Sequence, residues 1–576
     1  MPILLSGPTR TYQAMGRPTA VLVAVSRHRV WPGLRQGLRQ GLTRVASALM
    51  ALGLLFALPS ATAGLAAAAS PIDGPVRDGT LVTVIQPEPS SLASVVNNNY
   101  ANSSVSANVY DGLLRYDESM APQPGLAESW EVSPDGTAIT FHLRQGVTWH
   151  DGAPFTAADV RFSALEAWKK LHARGRVTFA ALEDVETPDP FTAVFRLRTP
   201  APVILSALNA AESQVLPKHL YEGGDILKNP RNNAPVGTGP FVFKEWKKGQ
   251  YIVLERNPHY WEAGRPYLDR IIVRIIPDAA SRAAALETGE IQYAPFTAIP
   301  LSDVPRLRKD ANLAIETKGY AFQSHVFLLD FNLKNPPLDD VRVRRAIAHA
   351  IDRKGLIDTV WYGLGNPAIS PIPSQLTRFH NPATPHYPYD PAAAEKLLDE
   401  AGYPRKANGV RLTIAHDYVP FGEVYKDAGD YIRDNLKKVG IEFTLRGQDY
   451  SAWVKRVYSD YAFDTDSNTI AVMMDPEMGL PRLLLSTNHI KGVPAANNSG
   501  YSNPEADRII RALQVEPDAA KRKALFDTLQ AITMTDLPVL PLSEMRHITV
   551  YNRKVHGLGT TPDAALAALG GVWIEP

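Results

Sequence analysis

Cysteine is absent from all 576 residues. That excludes disulfides, thiolate metal sites, a cysteine nucleophile and a lipidated cysteine anchor. An excess of one charge sign is also missing. Lys+Arg 60 against Asp+Glu 59 leaves a formal net charge of +1, and the signs are interspersed, so nothing electrostatic points to nucleic acid. Beyond the amino-terminal region no apolar run reaches the roughly 18 residues that a membrane span requires. No G-x-S-x-G, H-E-x-x-H or Walker A motif occurs. His142, His150, His219 and His259 stand singly, so no histidine cluster offers a bare metal site. Acidic residues are missing from the amino-terminal stretch, where the first is Asp73.

That stretch carries Arg10, Arg17, Arg27, Arg29, Arg35, Arg39 and Arg44 instead. An apolar run follows over residues 45–59, then small residues that include Ala61-Thr62-Ala63. A basic segment, an apolar core too short for a comfortable span and a small-residue site make a cleaved secretory signal over 1–69. Without a lipid anchor, the mature chain is expected to be a free periplasmic protein.

The remaining chain is globular in composition, 45% apolar and 21% charged, and long enough for a sizeable core. Residues 126–163, LAESWEVSPDGTAITFHLRQGVTWHDGAPFTAADVRFS, read as a hairpin followed by a helix start. Trp130 and Val132 alternate with polar neighbours, and Ile139, Phe141 and Leu143 do so on the return strand. Ser133-Pro134-Asp135-Gly136 is the turn: Pro presets φ, Asp bonds its own backbone and Gly takes φ > 0. Thr156 to Asp159 reads as a capping box.

This segment closely resembles the signature of the solute-binding proteins of bacterial ABC importers, dipeptide/oligopeptide-binding family 5. Residues 234–261 (APVGTGPFVFKEWKKGQYIVLERNPHYW) carry a second stretch of likeness. Gly237-Thr238-Gly239 there is not a phosphate loop, because no Gly-Lys-Ser/Thr follows and Phe241-Val242-Phe243 continues as a strand. Its glycines serve a tight backbone bend. The resemblance covers about residues 79–560 and implies an α/β, bilobal periplasmic-binding-protein-like fold of the large type II class. It has two crossovers between lobes and an extra subdomain in the first. The expected organisation is lobe I over 70–297, lobe II over 298–543 and a return to lobe I over 544–576.

Local signals fill in lobe II. A helix is expected over 339–351 from Val343, Ile347, Ala350 and Ile351, with Arg342, Arg344 and Arg345 on a solvated face. Asp390-Pro391 and Asn503-Pro504 open two more helices. Strands over 411–415 and 441–445, with a helix over 428–439 between them, make a βαβ unit.

The resemblance implies a non-catalytic receptor without cofactor or metal, most simply for peptides. Its partners are a small-molecule or short-peptide ligand and the transmembrane permease subunits of an ABC importer, and it acts as a monomer. A non-peptide solute (an oligosaccharide, a modified amino acid, a chelate), a sensory role and a periplasmic hydrolase are the alternatives. Candidate ligand contacts are Asn98, Asn99 and Tyr100 in the loop after the first strand, Glu212 and Gln214 after an apolar stretch, and Tyr320 between the lobes. Peptide binders of the family hold the ligand's ammonium with an Asp shortly before an Asp-Pro step. Aligned on Asp475-Pro476, that place is held by Val472, which cannot serve. A buried ammonium needs a counter-charge, so Asp475 or Glu212 substitutes, or the ligand lacks a free amine. Met473 and Met474 are candidates to line an adaptable apolar cleft beside Val472, with core packing as the alternative.

Overall fold

A computed structural model describes residues 74–576; the expected export signal over 1–69 lies outside them. The first strand, Thr80–Ile85, runs parallel to Arg270–Ile275, with Leu81 paired to Ile271 and Thr83 to Val273. These strands form part of a seven-stranded sheet, in the order Leu313–Glu316, Thr549–Asn552, Tyr293–Ala294, Thr80–Ile85, Arg270–Ile275, Tyr251–Arg256 and Phe241–Lys247. This is lobe I. Its first strand and its neighbours come from distant parts of the sequence, so loop-closure entropy is offset only once the whole sheet assembles.

The hairpin that dominates the sequence forms a separate four-stranded sheet on lobe I, in the order Ala127–Val132, Ala138–Leu143, Thr192–Leu197 and Leu182–Asp189. Its turn closes with the Gly136 N–H donating to the Ser133 carbonyl at 2.8 Å, and Gly136 sits at φ +69°. The helix Ala157–Phe162 begins at the capping box, where Asp159 Oδ2 accepts from the Thr156 N–H at 2.9 Å. Gly237 and Gly239 both lie against the backbone of Val109, where a Cβ would collide with its carbonyl group. Close approach of two chains, rather than an unusual φ, requires glycine there.

Lobe II is a six-stranded sheet in the order Gly365–Pro367, Val539–Met545, Gln323–Phe331, Thr465–Met473, Leu412–Tyr418 and Ile441–Arg446. The βαβ unit is present: Leu412–Tyr418 and Ile441–Arg446 pair in parallel across the helix Glu423–Lys438. One face of the central strands, with Phe327, Leu329 and Phe331, packs on helices Val341–Ala350, Arg353–Val360, Pro391–Glu400 and Glu423–Lys438. The other, with Val326, Leu328, Ile470 and Val472, packs on Pro504–Val515 and Ala519–Asp536. Asp390 and Asn503 cap their helices as the sequence signals.

Two expectations are corrected. Leu313–Glu316 pairs with Thr549–Asn552 in the lobe I sheet, so the chain leaves lobe I after residue 316 rather than at 298. Arg344 is not solvated. It is buried, and its guanidinium donates to the carbonyls of Leu338, Asp339, Asp536 and Leu537. A fork of five donors suits a buried cluster of free carbonyls at helix ends.

Candidate functional site

The chain crosses between lobes twice, from Leu313–Glu316 to Gln323–Phe331 and from Val539–Met545 to Thr549–Asn552. The crossings are tied together. The Tyr320 hydroxyl shares a 2.6 Å bond with Thr549 Oγ1, donates toward the Ile548 carbonyl at 3.1 Å and accepts the Phe296 N–H at 2.8 Å. Burial pushes its pKa up to about 12. Beside it, His547 Nε2 and His325 Nδ1 are 3.0 Å apart, and Thr297 Oγ1 is 3.2 Å from His547 Nδ1. Thr297 Oγ1 also accepts the Ile548 N–H at 3.2 Å, so the hydroxyl, both rings and the second crossing form one hydrogen-bonded chain. Burial pushes His547 down to about 3, and burial with the charge of Arg174 pushes His325 down to about 4. Both rings are neutral at pH 7.

Against these crossings lies a cavity of about 880 Å³. Lobe I contributes Phe296, Thr297 and the segment 300–302. Lobe II contributes Trp361, Tyr362, Phe421 and the helix Glu423–Lys438, and the second crossing contributes Met545, Arg546 and His547. Of the seven non-glycine residues with positive φ among those described, Phe296 (54°), Thr297 (55°) and Tyr362 (52°) line this cavity. Left-handed backbone at bulky residues costs about 1–3 kcal/mol each and gathers where binding geometry must be fixed. A second depression, of about 860 Å³ along Tyr251 and Arg270, touches lobe I alone and cannot sense the relation between lobes.

The sequence-derived candidates divide. Tyr100 stacks on Phe296, with centroids 4.6 Å apart, and so adjoins the cavity wall. Asn98 beside it has a buried amide nitrogen without a partner among the described residues. Asn99 is the N-cap of the helix Tyr100–Ser106, accepting the Asn102 N–H at 2.9 Å. Gln214 is buried and accepts from the backbone and hydroxyl of Ser94 at 2.9 and 2.6 Å. Glu212 is buried in a two-bond ion pair with Arg174, one bond being 2.8 Å. Burial pulls its pKa up, but Arg174 outweighs that and holds it low. Val472 and Met473 are fully buried in an apolar cluster that also takes in Met120, Val203, Ala207, Ala211 and Phe296 of lobe I. Asp475 is locked to Arg522 at 2.5 and 3.0 Å, and Glu477 shares that guanidinium at 2.6 Å. Asp475 and Glu212 are therefore already neutralised by protein cations. Neither carboxylate is free to meet a ligand ammonium. Tyr320 ties the hinge, its hydroxyl fully engaged.

Phe296, Tyr362, Phe421, Tyr425, His325 and His547 escaped the sequence reading. His325 and His547 are 222 residues apart, and only the sheet topology brings them together. Phe421-Gly422-Glu423, an aromatic beside a glycine at a helix start, was the one local signal available.

Two lobes around a shared cavity, joined by two adjacent crossings, define a binding protein that grips a solute between its lobes. The family model for bacterial extracellular solute-binding proteins, family 5 (Middle), matches residues 121–490, and the chain belongs to that family. It is 28% identical over 476 residues to a glutathione-binding protein, GsiB, of Pectobacterium atrosepticum, covering 81% of this chain and 88% of that protein. Among solved structures it is similar to the oligopeptide-binding protein AppA of Bacillus subtilis in complex with a nonapeptide. That match has 26% identity, a TM-score of 0.71, and covers 87% of this chain and 100% of the other. NikZ of Campylobacter jejuni, in complex with Ni(L-His), is also similar, with 26% identity, a TM-score of 0.70, and coverage of 85% and 96%. The protein is thus a solute-binding component of the ABC-importer type. No helix among the described residues is long and apolar enough to cross a membrane.

Proposed function

We propose that this protein is the periplasmic receptor of an ABC importer, acting as a monomer, for a peptide or peptide-like solute that it holds in the interlobe cavity and presents to the permease. The carrying observation is that both lobes and a crossing contribute to one cavity of about 880 Å³. That is a suitable size for a small organic ligand. A ligand in contact with both walls favours the closed state by its differential affinity for it. The ligands of relatives support the peptide-like class, since glutathione is a tripeptide and a nonapeptide occupies AppA.

The hydrolase alternative is disfavoured by the chemistry of the wall. Thr297 and His547 do form a hydroxyl–imidazole pair, but the imidazole is pushed down to about 3. A base of that strength takes no proton from a hydroxyl at neutral pH. Thermal unfolding against di- and tripeptides, acetylated peptides, oligosaccharides and chelates tests the receptor reading. A true ligand at about 100 times its Kd adds roughly 2.7 kcal/mol of stability. Peptides should raise the melting temperature without being consumed. Product formation, or stabilisation by oligosaccharides alone, would overturn the peptide-receptor reading.

A further inference from the structure

A strained residue outside the cavity lining joins the two lobes. The short hairpin of Leu114–Tyr116 and Pro122–Pro124 in lobe I closes through Glu118-Ser119-Met120. The Met120 N–H donates to the Asp117 carbonyl at 3.0 Å, and the Asp117 N–H donates to the Ala121 carbonyl at 3.1 Å. This is a turn followed by one left-handed residue, the place where three-residue hairpin loops carry glycine. Here it is Met120, at φ +66°. The turn is held without the methionine side chain. Asp117 Oδ1 takes the N–H groups of Ser119 and Ala121 at 2.8 and 3.0 Å, and Oδ2 takes Gln123 Nε2 at 2.7 Å. A bulky side chain kept at a strained position that its own turn does not require points to a contact made elsewhere.

That contact is with lobe II. Met120 is 6% exposed, in the apolar cluster that takes in Leu376, Phe379 and Met478. Its carbonyl accepts from Arg378 Nη1 at 3.1 Å, across 258 residues of sequence. The Arg378 guanidinium in turn lies over the Phe379 ring, 5.5 Å from its centroid. One residue at the hairpin tip thus gives lobe II both a buried side chain and a backbone acceptor. The base of the hairpin is fixed to lobe I. The Tyr116 hydroxyl accepts the Leu208 N–H and donates to the Leu205 carbonyl, both at 3.0 Å. Its ring stacks on Phe322 of the first crossing, with centroids 6.0 Å apart. An apolar contact between lobes stabilises only the state in which they meet, because opening returns the side chain to water. Nothing in this contact involves a solute.

We propose that the hairpin tip, residues 118–120, is a strap between the lobes. Met120 and Arg378 fasten it, so the closed form is populated before any solute binds. A receptor whose competent state is already populated loses less affinity to the closing step. The strap therefore tunes the affinity of every solute by one factor and takes no part in choosing among them. This goes beyond the receptor reading and holds for any ligand class.

Small-angle X-ray scattering from the mature chain tests it, after dialysis out of urea to strip any solute carried over. The curve reads the ratio of closed to open molecules. Wild type should scatter as this structure does, with the closed form in the majority. Met120→Gly suits the left-handed backbone, so the hairpin keeps its fold while the strap loses its side chain. Arg378→Met keeps an apolar stem and removes the donor. Each should lower the closed-to-open ratio about tenfold, the scale of one buried side chain or one charged hydrogen bond. Met120→Leu keeps the apolar bulk and should leave the ratio within about twofold. Unchanged far-UV dichroism shows that the variants fold. The proposal is overturned if solute-free wild type is open, or if Met120→Gly and Arg378→Met both leave the ratio unchanged. A lower urea midpoint with an unchanged ratio would also overturn it, because Met120 would then be packing alone. The receptor reading fails separately, as no stabilisation by any solute class in the thermal panel.

Discussion

At the scale of single residues, the least expected arrangement is Asp330 beside Asp466. They are direct cross-strand partners in the lobe II sheet, 2% and 0% exposed, and neither has a cation against it. Trp453 Nε1 donates to Asp466 Oδ1 at 2.7 Å, while Asp330 Oδ1 and Asp466 Oδ2 have no partner among the described residues. Burial pushes Asp330 up to about 7 and Asp466 well above the usual carboxylate range, the latter helped by the charge of Asp330. Two carboxylates side by side in a dry sheet cannot both ionise cheaply, so the folded protein keeps protons that the unfolded chain releases near pH 4. The contribution to stability is therefore full at low pH and is lost as pH rises through about 7. The buried histidines act with the opposite sign, because their lowered pKa values stabilise above pH 6.5 and cost stability only on acidification toward 4. Between pH 7 and 8.5 the histidines are silent, and the aspartates share the window with Glu477, which burial and the charge of Asp475 push up to about 7; the Asp466→Asn comparison isolates the pair. Urea unfolding should show wild type losing stability over that window. Asp466→Asn keeps the Trp453 bond, and should be flatter and more stable at pH 8.5 by on the order of 1–3 kcal/mol. A wild-type curve that stays level from pH 7 to 8.5 would show that the pair does not hold its protons.

At the scale of elements, the legible features were those written within a few residues. Asp390-Pro391, Asn503-Pro504, the Ser133–Gly136 turn and the Thr156–Asp159 box each encode a cap or turn in local chemistry, and each forms. The parallel pairing of Thr80–Ile85 with Arg270–Ile275, or of Tyr293–Ala294 with the first strand, is written in no local pattern, because β partners are chosen by the whole core. The same limit hid the interlobe cavity, whose wall comes from a helix whose acids look like an ordinary solvated face and from crossings far apart in sequence. Asp475 shows the cost of reading one residue without its partner. It caps the turn Pro476–Met478 and binds Arg522 of the helix Ala519–Asp536, which Glu477 shares. Asp475→Ala leaves a buried guanidinium half-paired, and should destabilise the protein by about 3–5 kcal/mol in denaturant unfolding. The ligand preference of the remaining folded protein should not move. A stable variant with altered ligand preference would return Asp475 to the binding site.

At the scale of the whole molecule, two lobes can move as units only if the crossings bend without coming apart. Tyr320 is the knot between them, because its hydroxyl reaches Thr549 and Ile548 on the second crossing and Phe296 on the lobe I wall. The Thr297–His547–His325 chain of hydrogen bonds runs alongside with both rings neutral, so these histidines do not repel one another on closing. A residue in this place can act as a ligand contact or as part of the hinge, and the two roles separate in one experiment. Tyr320→Phe keeps the ring that meets Phe296 edge-on at 5.1 Å and removes only the hydroxyl. The Phe296 N–H then loses its acceptor, while the Ile548 carbonyl keeps the Thr297 N–H at 2.9 Å. Thr549 Oγ1 loses its partner as well, and the expected cost is about 1–3 kcal/mol for each buried group left unpaired, read as a lower urea midpoint. If Tyr320 is hinge, the ranking of bound probes stays as in wild type, and any weakening is shared by all of them, because the closed state is then less populated for every ligand. If Tyr320 is a contact, one probe class weakens selectively with little loss of stability, and the ligand must reach past Phe296 into the crossings themselves.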